Sequence, residues 1–133
     1  MKVREMMKSN PQHVSPQDSI QDATRIMRDD DVGIVAVLEG ERVAGVITDR
    51  DIAVRASAAG AAPDAPVRRY MTTDVVCVSG DTSHDEAADL MARHAIRRLP
   101  VVDENDRLVG IVSLSDIALK ARSVTRYVAG PAR

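Results

Sequence analysis

Residues 45–52 read Gly-Val-Ile-Thr-Asp-Arg-Asp-Ile, and residues 110–117 repeat this pattern as Gly-Ile-Val-Ser-Leu-Ser-Asp-Ile. The Val-Ser pairs that open the two copies are 64 positions apart (14 to 78), whereas the motif glycines are 65 apart (45 to 110), so one residue is inserted between them. Self-similarity at a fixed offset is the sequence signature of a repeat architecture. Two copies predict a pseudo-twofold pair that shares one core, because a unit of about 60 residues is only marginally stable alone.

Hydrophobic patterning predicts the same order of elements in both repeats. In each repeat, a helix with one apolar face is followed by two apolar strands joined by a tight turn, and a second helix follows the motif. The predicted N-caps of the first helices are Asp18 or Ser19 and Thr82 or Ser83. The predicted strands are 32–38, 43–47, 75–78, 99–102 and 108–112, and the predicted helices after the motifs are 50–59 and 115–122.

Each half is thus a β-α-β-β-α unit, and the predicted fold class is α/β. The predicted organisation is a first repeat at 1–60, an Ala/Pro linker at 61–66, a second repeat at 67–122 and a C-terminal tail at 123–133.

Composition argues against several classes of function. The net charge of −2 gives no electrostatic attraction to nucleic acid or to an anionic membrane, and the aromatic residues that stack on bases make up 2% of the chain. We therefore expect no nucleic-acid partner and no membrane association. The sequence contains no signal sequence and no apolar run of membrane-spanning length, and Cys77 is its only cysteine, which together predict a cytoplasmic protein. Cys77 lies in the apolar run 75–78, where we expect a buried, unreactive thiol in a strand.

The chain also lacks recognisable catalytic or metal-binding patterns. Its three histidines, His13, His84 and His94, do not have the spacing of metal ligands, and we recognise no Ser-His-Asp or Cys-His arrangement. We therefore expect no metal site and no enzymatic activity.

Two interpretations fit the Thr/Ser-x-x-Asp elements formed by Thr48 with Asp51 and by Ser113 with Asp116. In the first, each is a helix capping box, in which the hydroxyl accepts a hydrogen bond from a backbone N–H and the acid reaches back. In the second, the turn binds an anion through free N–H groups and the helix dipole, while the carboxylate accepts hydrogen bonds from a ribose diol. Recurrence in both halves favours the ligand interpretation, which also predicts that the Asp51 carboxylate lacks a partner in an empty cleft.

Together with Arg-Arg-Leu-Pro-Val-Val-Asp at 97–103, the two motifs resemble the signatures of cystathionine-β-synthase (CBS) domains over nearly the whole chain. Two such domains in tandem form a Bateman module. The resemblance implies a stand-alone regulatory or sensor protein that binds an adenine nucleotide (AMP, ADP, ATP or a NAD-like ligand) between the repeats and requires no cofactor. It also implies a homodimer and a separate effector protein that receives the signal. The alternative is a ligand-free dimeric interaction scaffold, in which both elements are only helix caps.

The resemblance further implies which residues form each cleft. One cleft would contain Thr48 and Asp51, with Ile96, Arg97 and Arg98 from the other repeat. The second would contain Ser113 and Asp116, with Val32 and Gly33 opposite. Two arginines serve the first cleft and a Gly-Ile pair takes their place near the second, which predicts tighter phosphate binding in the first.

Two further expectations concern neighbouring side chains. Because side chains alternate along a strand, we expect at most one of Arg97 and Arg98 to contact a ligand directly. The small apolar positions expected at a dimer interface are Ala53, Val54, Ala58, Ile117, Ala118 and Ala121.

Overall fold

The computed structural model describes residues 1–125, and its elements follow the order predicted for each repeat. The strands are β1 (Lys8–Ser9), β2 (His13–Val14), β3 (Ile34–Glu39), β4 (Arg42–Thr48), β5 (Val78–Ser79), β6 (Arg98–Val102) and β7 (Leu108–Ser113). The α-helices are α1 (Ile20–Asp30), α2 (His84–His94) and α3 (Leu114–Thr125), and the remaining helical segments are a π-helix at Asp51–Ser57 and 3-10 turns at Val3–Glu5 and Val67–Arg69. This mixed arrangement confirms the predicted α/β fold class.

The strands form two sheets of related design. One sheet has the order β2-β3-β4 and the other the order β1-β7-β6-β5. Each contains a parallel pair next to an antiparallel hairpin. In the first hairpin Leu38 pairs with Val43, and in the second Val102 pairs with Leu108. The inserted residue therefore lies in the turn of the second hairpin, where five residues (103–107) replace four (39–42).

Each half sends its leading segment into the other half. β1 pairs antiparallel with β7, and at the equivalent place Thr72 bridges Val46 of β4. Val3 is fully buried in the core beneath the second sheet, and Val67 is fully buried in the core beneath the first. Because each core contains a residue from the other half's leading segment, we expect the two halves to unfold together. The domain boundaries predicted along the sequence stay a prediction, since the units exchange segments in space.

Of the two N-cap candidates predicted for the first helix of each repeat, the structure uses the second, which is Ser19 for α1 and Ser83 for α2. The hydroxyls of Ser19 and Ser83 accept hydrogen bonds from the backbone N–H three residues ahead, at 3.0 and 3.1 Å. Asp18 and Thr82 instead accept from the N–H three residues earlier, at 2.8 and 3.3 Å. They therefore stabilise the turn that leads into the helix rather than its first turn.

Two predicted elements differ from the structure. Of the predicted strand 75–78 only Val78 pairs with a neighbour, in β5. The N–H of Val75 donates instead to the Thr73 carbonyl (3.0 Å), and the Val75 side chain packs between the sheets. The apolar run 75–78 reflects this packing rather than strand pairing. Cys77, which the sequence predicts to be buried in a strand, precedes β5 and is only partly buried. The predicted helix 50–59 is π-helical over Asp51–Ser57. π-Helical turns are rare in proteins, and those that occur are often found at functional sites.

The ends of the two helices that follow the motifs can also be compared with the prediction. Gly60 has a φ of 72° just beyond the π-helix, which is the left-handed conformation that glycine adopts without steric cost. α3 extends to Thr125, three residues past its predicted end at 122. Residues 126–133 of the predicted tail lie outside the described residues.

Candidate functional site

The two motifs stand at the ends of β4 and β7, where the two sheets meet. An apolar cluster of Ile34, Val46 and Ile111 holds the sheets together, and Val75 packs against it. Each motif turn directly follows its strand. The first motif faces the residues at the start of β6 and the second faces those at the start of β3, so two clefts open beside the cluster. We call them the Asp51 cleft, which contains Thr48, Asp51, Ile96, Arg97 and Arg98, and the Asp116 cleft, which contains Val32, Gly33, Ser113 and Asp116.

Both motifs form reciprocal capping boxes. The Thr48 N–H donates to the Asp51 carboxylate and the Asp51 N–H donates to the Thr48 hydroxyl, each at 3.1 Å. Ser113 and Asp116 make the same two bonds at 3.0 Å. The aspartate side chain is shorter than the Glu or Gln that usually makes this bond, but it is long enough to make it here. The two caps hold both carboxylates in a defined orientation.

The Asp51 carboxylate has further partners besides the cap. The Thr72 hydroxyl donates to it at 3.3 and 3.4 Å, and Nη1 of Arg55 lies 3.7 Å from Oδ1. Asp51 is only 7% exposed, and it is the one charged residue that is buried in the described part of the chain. The expectation that this carboxylate lacks a partner in the empty cleft is therefore wrong, because the leading segment of the second half brings Thr72 to it.

The lining of the Asp51 cleft contains both apolar and charged side chains. Its volume is about 420 Å³, within the range of about 300–1,000 Å³ that is usual for small-molecule sites. The apolar lining is Ile34, Val46, Val75, Val76, Ala95, Ile96 and Pro100. The charged lining is Asp49, Arg50, Asp51, Asp74, Arg97 and Arg98, and Thr48 and Thr72 supply hydroxyls. Such a lining can hold both a flat apolar ring and hydroxyl or anionic groups.

The Asp116 cleft is smaller. Its volume is about 220 Å³, below the usual range for small-molecule sites. Lys8 of β1 and Asp31, at the end of α1, join the four predicted residues in its lining. Lys8 occupies the position equivalent to Thr72, so this cleft has an ammonium group where the other has a hydroxyl.

A family model described as CBS domain matches residues 3–57 and again residues 67–122. The chain belongs to the CBS-domain family. A relative from Bacillus subtilis, the CBS domain-containing protein YhcV, is 42% identical over 121 residues, which cover 91% of this chain and 86% of that protein.

Solved CBS-pair structures are similar over almost the whole fold. The CBS domain pair of protein MJ0100, in complex with 5′-methylthioadenosine and S-adenosyl-L-methionine, has a TM-score of 0.85 at 26% identity and covers 93% of this chain and 98% of its own. CBSX2 in complex with AMP has a TM-score of 0.79 at 25% identity and covers 94% of this chain and 98% of its own.

Within this CBS pair, the two neighbouring arginines have different surroundings. The carbonyl of Arg97 accepts a hydrogen bond from the Leu114 N–H at 2.8 Å, which ties the start of β6 to the second motif, and its side chain is exposed. The Arg98 side chain is 34% exposed, with Nη1 3.9 Å from Oδ1 of Asp49. Arg98 lines both clefts, whereas Arg97 lines the Asp51 cleft. That at most one of them contacts a ligand stays a prediction.

The structure adds residues that the sequence prediction missed. Thr72, Asp74, Val75 and Val76 reach the Asp51 cleft from the leading segment of the second repeat. The repeat itself carried the signal for Thr72 and Lys8, because they lie 64 positions apart (8 to 72) like the other equivalent pairs. The crossing of the leading segments, which brings them to the clefts, could not be read from local patterning.

Two further features concern metal binding and membrane crossing in the described residues 1–125. There, no three or more His, Cys, Asp and Glu side chains are grouped so as to hold a metal ion. In the same range, no helix has the length and apolar character needed to cross a membrane.

Proposed function

We propose that this CBS pair is a regulatory sensor that binds an adenine nucleotide in the Asp51 cleft. The observation that carries the proposal is the composition of that cleft, in which a buried carboxylate, apolar side chains and arginines line the same space. A ribose diol would donate to Asp51, the base would lie against the apolar side chains, and the phosphate would accept from Arg97 or Arg98. The carboxylate has four lone-pair positions, so it can keep the cap and still accept from a ligand.

The solved relatives support an adenosine ligand. AMP, 5′-methylthioadenosine and S-adenosyl-L-methionine, the compounds named with CBSX2 and MJ0100, all contain an adenosine unit. In this chain the paired arginines favour a phosphate-bearing member of that group, because charge-assisted hydrogen bonds to phosphate are among the strong ones. AMP, ADP, ATP and NAD-like ligands share this chemistry, and none requires a catalytic residue or a resident cofactor.

The Asp116 cleft is proposed as a second, weaker site. Val32, Gly33, Ser113 and Asp116 meet there in a smaller space. Its own cation is the exposed Lys8, whose flexible chain loses more side-chain freedom on binding than a partly ordered arginine does.

A homodimer through the helices that follow the motifs is also part of the proposal. Val54 on the π-helix is 54% exposed, and Leu119 on α3 is 70% exposed. Ala53, Ala58 and Ala118 are exposed beside them. Ile117, by contrast, is 7% exposed and belongs to the core of the second half, and the side chain of Ala121 lies outside the described residues. The large exposed aliphatic side chains offer apolar surface to a partner. The alanines beside them are small enough to let two helices approach closely.

The alternative function, a ligand-free dimeric scaffold, has one specific observation in its favour. Both Thr/Ser-x-x-Asp elements form complete reciprocal caps between their own residues. Capping alone would therefore explain why each motif has a hydroxyl and a carboxylate at this spacing.

Thermal melting with and without AMP separates the two functions. A ligand that binds only the folded chain at about 100 times its dissociation constant raises the free energy of unfolding by about 2.7 kcal/mol. We expect a concentration-dependent rise in Tm with AMP and a smaller one with uncharged adenosine. If neither AMP, ATP nor NAD raises the Tm at millimolar concentration, the scaffold is the better account.

A further inference from the structure

One cationic side chain is shared by the two clefts. Arg98 begins β6 in the wall of the Asp51 cleft, and its side chain also lines the Asp116 cleft. Its guanidinium lies between the two motifs, with Nη1 3.9 Å from Oδ1 of Asp49. Asp49 is 62% exposed, so this long ion pair holds the guanidinium only weakly.

Gly33 makes the shared position possible. A Cβ added at Gly33 would lie 2.8 Å from Cζ of Arg98 and 2.8 Å from Oδ2 of Asp49. Real Cβ atoms do not approach other atoms this closely, so the guanidinium lies over Gly33 only because that residue has no side chain. Gly33 belongs to the wall of the Asp116 cleft. The backbone of Arg98 thus lies in the wall of the Asp51 cleft, and its guanidinium reaches the Asp116 cleft.

The charge count of each cleft depends on Arg98. Without it, the lining of the Asp51 cleft has two arginines against three aspartates, a formal charge of −1. The lining of the Asp116 cleft has Lys8 against Asp31 and Asp116, which is again −1. The cleft that holds the guanidinium therefore has one more positive charge available to a phosphate than the same cleft without it.

We propose that Arg98 couples the two clefts, so that a phosphate bound in one draws the guanidinium towards it and weakens phosphate binding in the other. This inference rests on the proposed function, because it requires a phosphate-bearing ligand. The coupling is reciprocal, since two sites that share one coupling free energy affect each other by the same factor. The chain then binds one phosphate-bearing nucleotide tightly at a time, although it has two clefts.

The coupling can be measured by titrating isotope-labelled protein with AMP and following the amide signals of Asp51 and Asp116 separately. Asp51→Asn weakens AMP binding in its own cleft and should thereby leave the guanidinium free for the other. We expect AMP affinity at the Asp116 cleft to rise by about fivefold or more relative to the wild type, the lower end of typical coupling. In an Arg98→Gln background the same Asp51→Asn change should leave that affinity unaltered.

Arg97→Gln is the matched control, because it removes the same charge from the adjacent residue, whose side chain lines the Asp51 cleft. Because Arg97→Gln also weakens AMP binding in the Asp51 cleft but leaves the shared guanidinium in place, it should by itself raise AMP affinity at the Asp116 cleft, whereas Arg98→Gln should not. Gly33→Ala gives a second check, since the added methyl displaces the guanidinium from the Asp116 wall without removing its charge, and the rise should shrink. With uncharged adenosine in place of AMP, Asp51→Asn should produce no rise.

Three outcomes would overturn the coupling: no rise at the Asp116 cleft in Asp51→Asn, a rise that persists in Arg98→Gln, or an equal rise with adenosine. Each of these outcomes is compatible with AMP binding at the Asp51 cleft of the wild-type protein. Failure of the proposed function would show differently, as wild-type protein whose amide signals at both clefts stay unchanged by AMP.

Discussion

Substitution of Asp51 by alanine tests whether one carboxylate serves both the fold and the ligand. The structure predicts a loss of stability in the unliganded chain, since the carboxylate accepts hydrogen bonds from the Thr48 N–H and the Thr72 hydroxyl and pairs with Arg55. Loss of a helix cap costs about 0.5–2 kcal/mol. A typical hydrogen bond adds about 0.5–1.5 kcal/mol. The half-exposed pair with Arg55 adds no more than about 0.5 kcal/mol.

Together these contributions predict a decrease of about 1–4 kcal/mol in the free energy of unfolding. For a chain of this size, that corresponds to a Tm lower by roughly 3–16 °C. Chemical denaturation monitored by circular dichroism gives the free energy, and repeating it with saturating AMP gives the ligand contribution. The Asp51→Ala protein should lose most of the AMP-dependent stabilisation, because hydrogen bonds to a charged group contribute about 1.5–3 kcal/mol.

Two controls separate the contributions. Asp116→Ala removes an equivalent capping box and should cost about 0.5–2 kcal/mol, with most of the AMP stabilisation retained. Thr72→Val keeps the cap, removes the added hydroxyl and should cost about 0.5–1.5 kcal/mol. An Asp51→Ala protein that melts lower but keeps the full AMP effect would refute the ligand role and leave Asp51 as a cap alone. Unchanged stability would refute the capping role.

Three further predictions address the site ranking, the dimer and the thiol. Calorimetric titration with AMP should lose its tighter binding step in Arg97→Gln and keep it in Asp116→Ala; the reverse result would invert the ranking of the clefts. Light scattering under reducing conditions should give twice the chain mass, and Val54→Asp or Leu119→Asp should lower it towards one chain mass, whereas a monomeric wild type at micromolar concentration would remove the dimer from the proposal. Burial, with a smaller effect of a nearby aspartate, raises the pKa of the Cys77 thiol. The thiolate fraction at neutral pH is thereby lowered, so iodoacetamide should react more slowly with the native chain than with the urea-unfolded one, and equal rates would contradict this.

Much of the fold follows from local patterns that occur twice. The strand pairs and the serine caps depend on a few neighbouring residues, and the repeat supplies each of these signals a second time. The family resemblance also names the main residues of both clefts, and the structure brings these residues together as two groups. Their role in ligand binding stays a prediction.

The remainder depends on contacts distant in sequence. Val75 and Val76 form an apolar run like that of a strand, yet they line the space between the sheets, and periodicity alone cannot distinguish the two. Thr72 reaches Asp51 only because the leading segments cross over, and no local rule signals that crossing. The reach of Arg98 across Gly33 was hidden as well, because it depends on a side-chain conformation rather than on position along β6.

A capping role and a ligand role for Asp51 do not compete, and the geometry gives a reason why the first assists the second. A side chain that must be ordered at the moment of binding loses rotamer freedom, which costs about 0.5–1.5 kcal/mol for a rotamer-rich group. The Thr48 N–H and the Thr72 hydroxyl already hold the Asp51 carboxylate in one orientation, so a ligand meets an acceptor that is in place. Arg98 has the opposite character, since its weak partner leaves it free to move. Because the Asp51 acceptor is fixed and the Arg98 cation can move, ligand binding would change the position of one side chain and leave the fold intact, as a sensor requires.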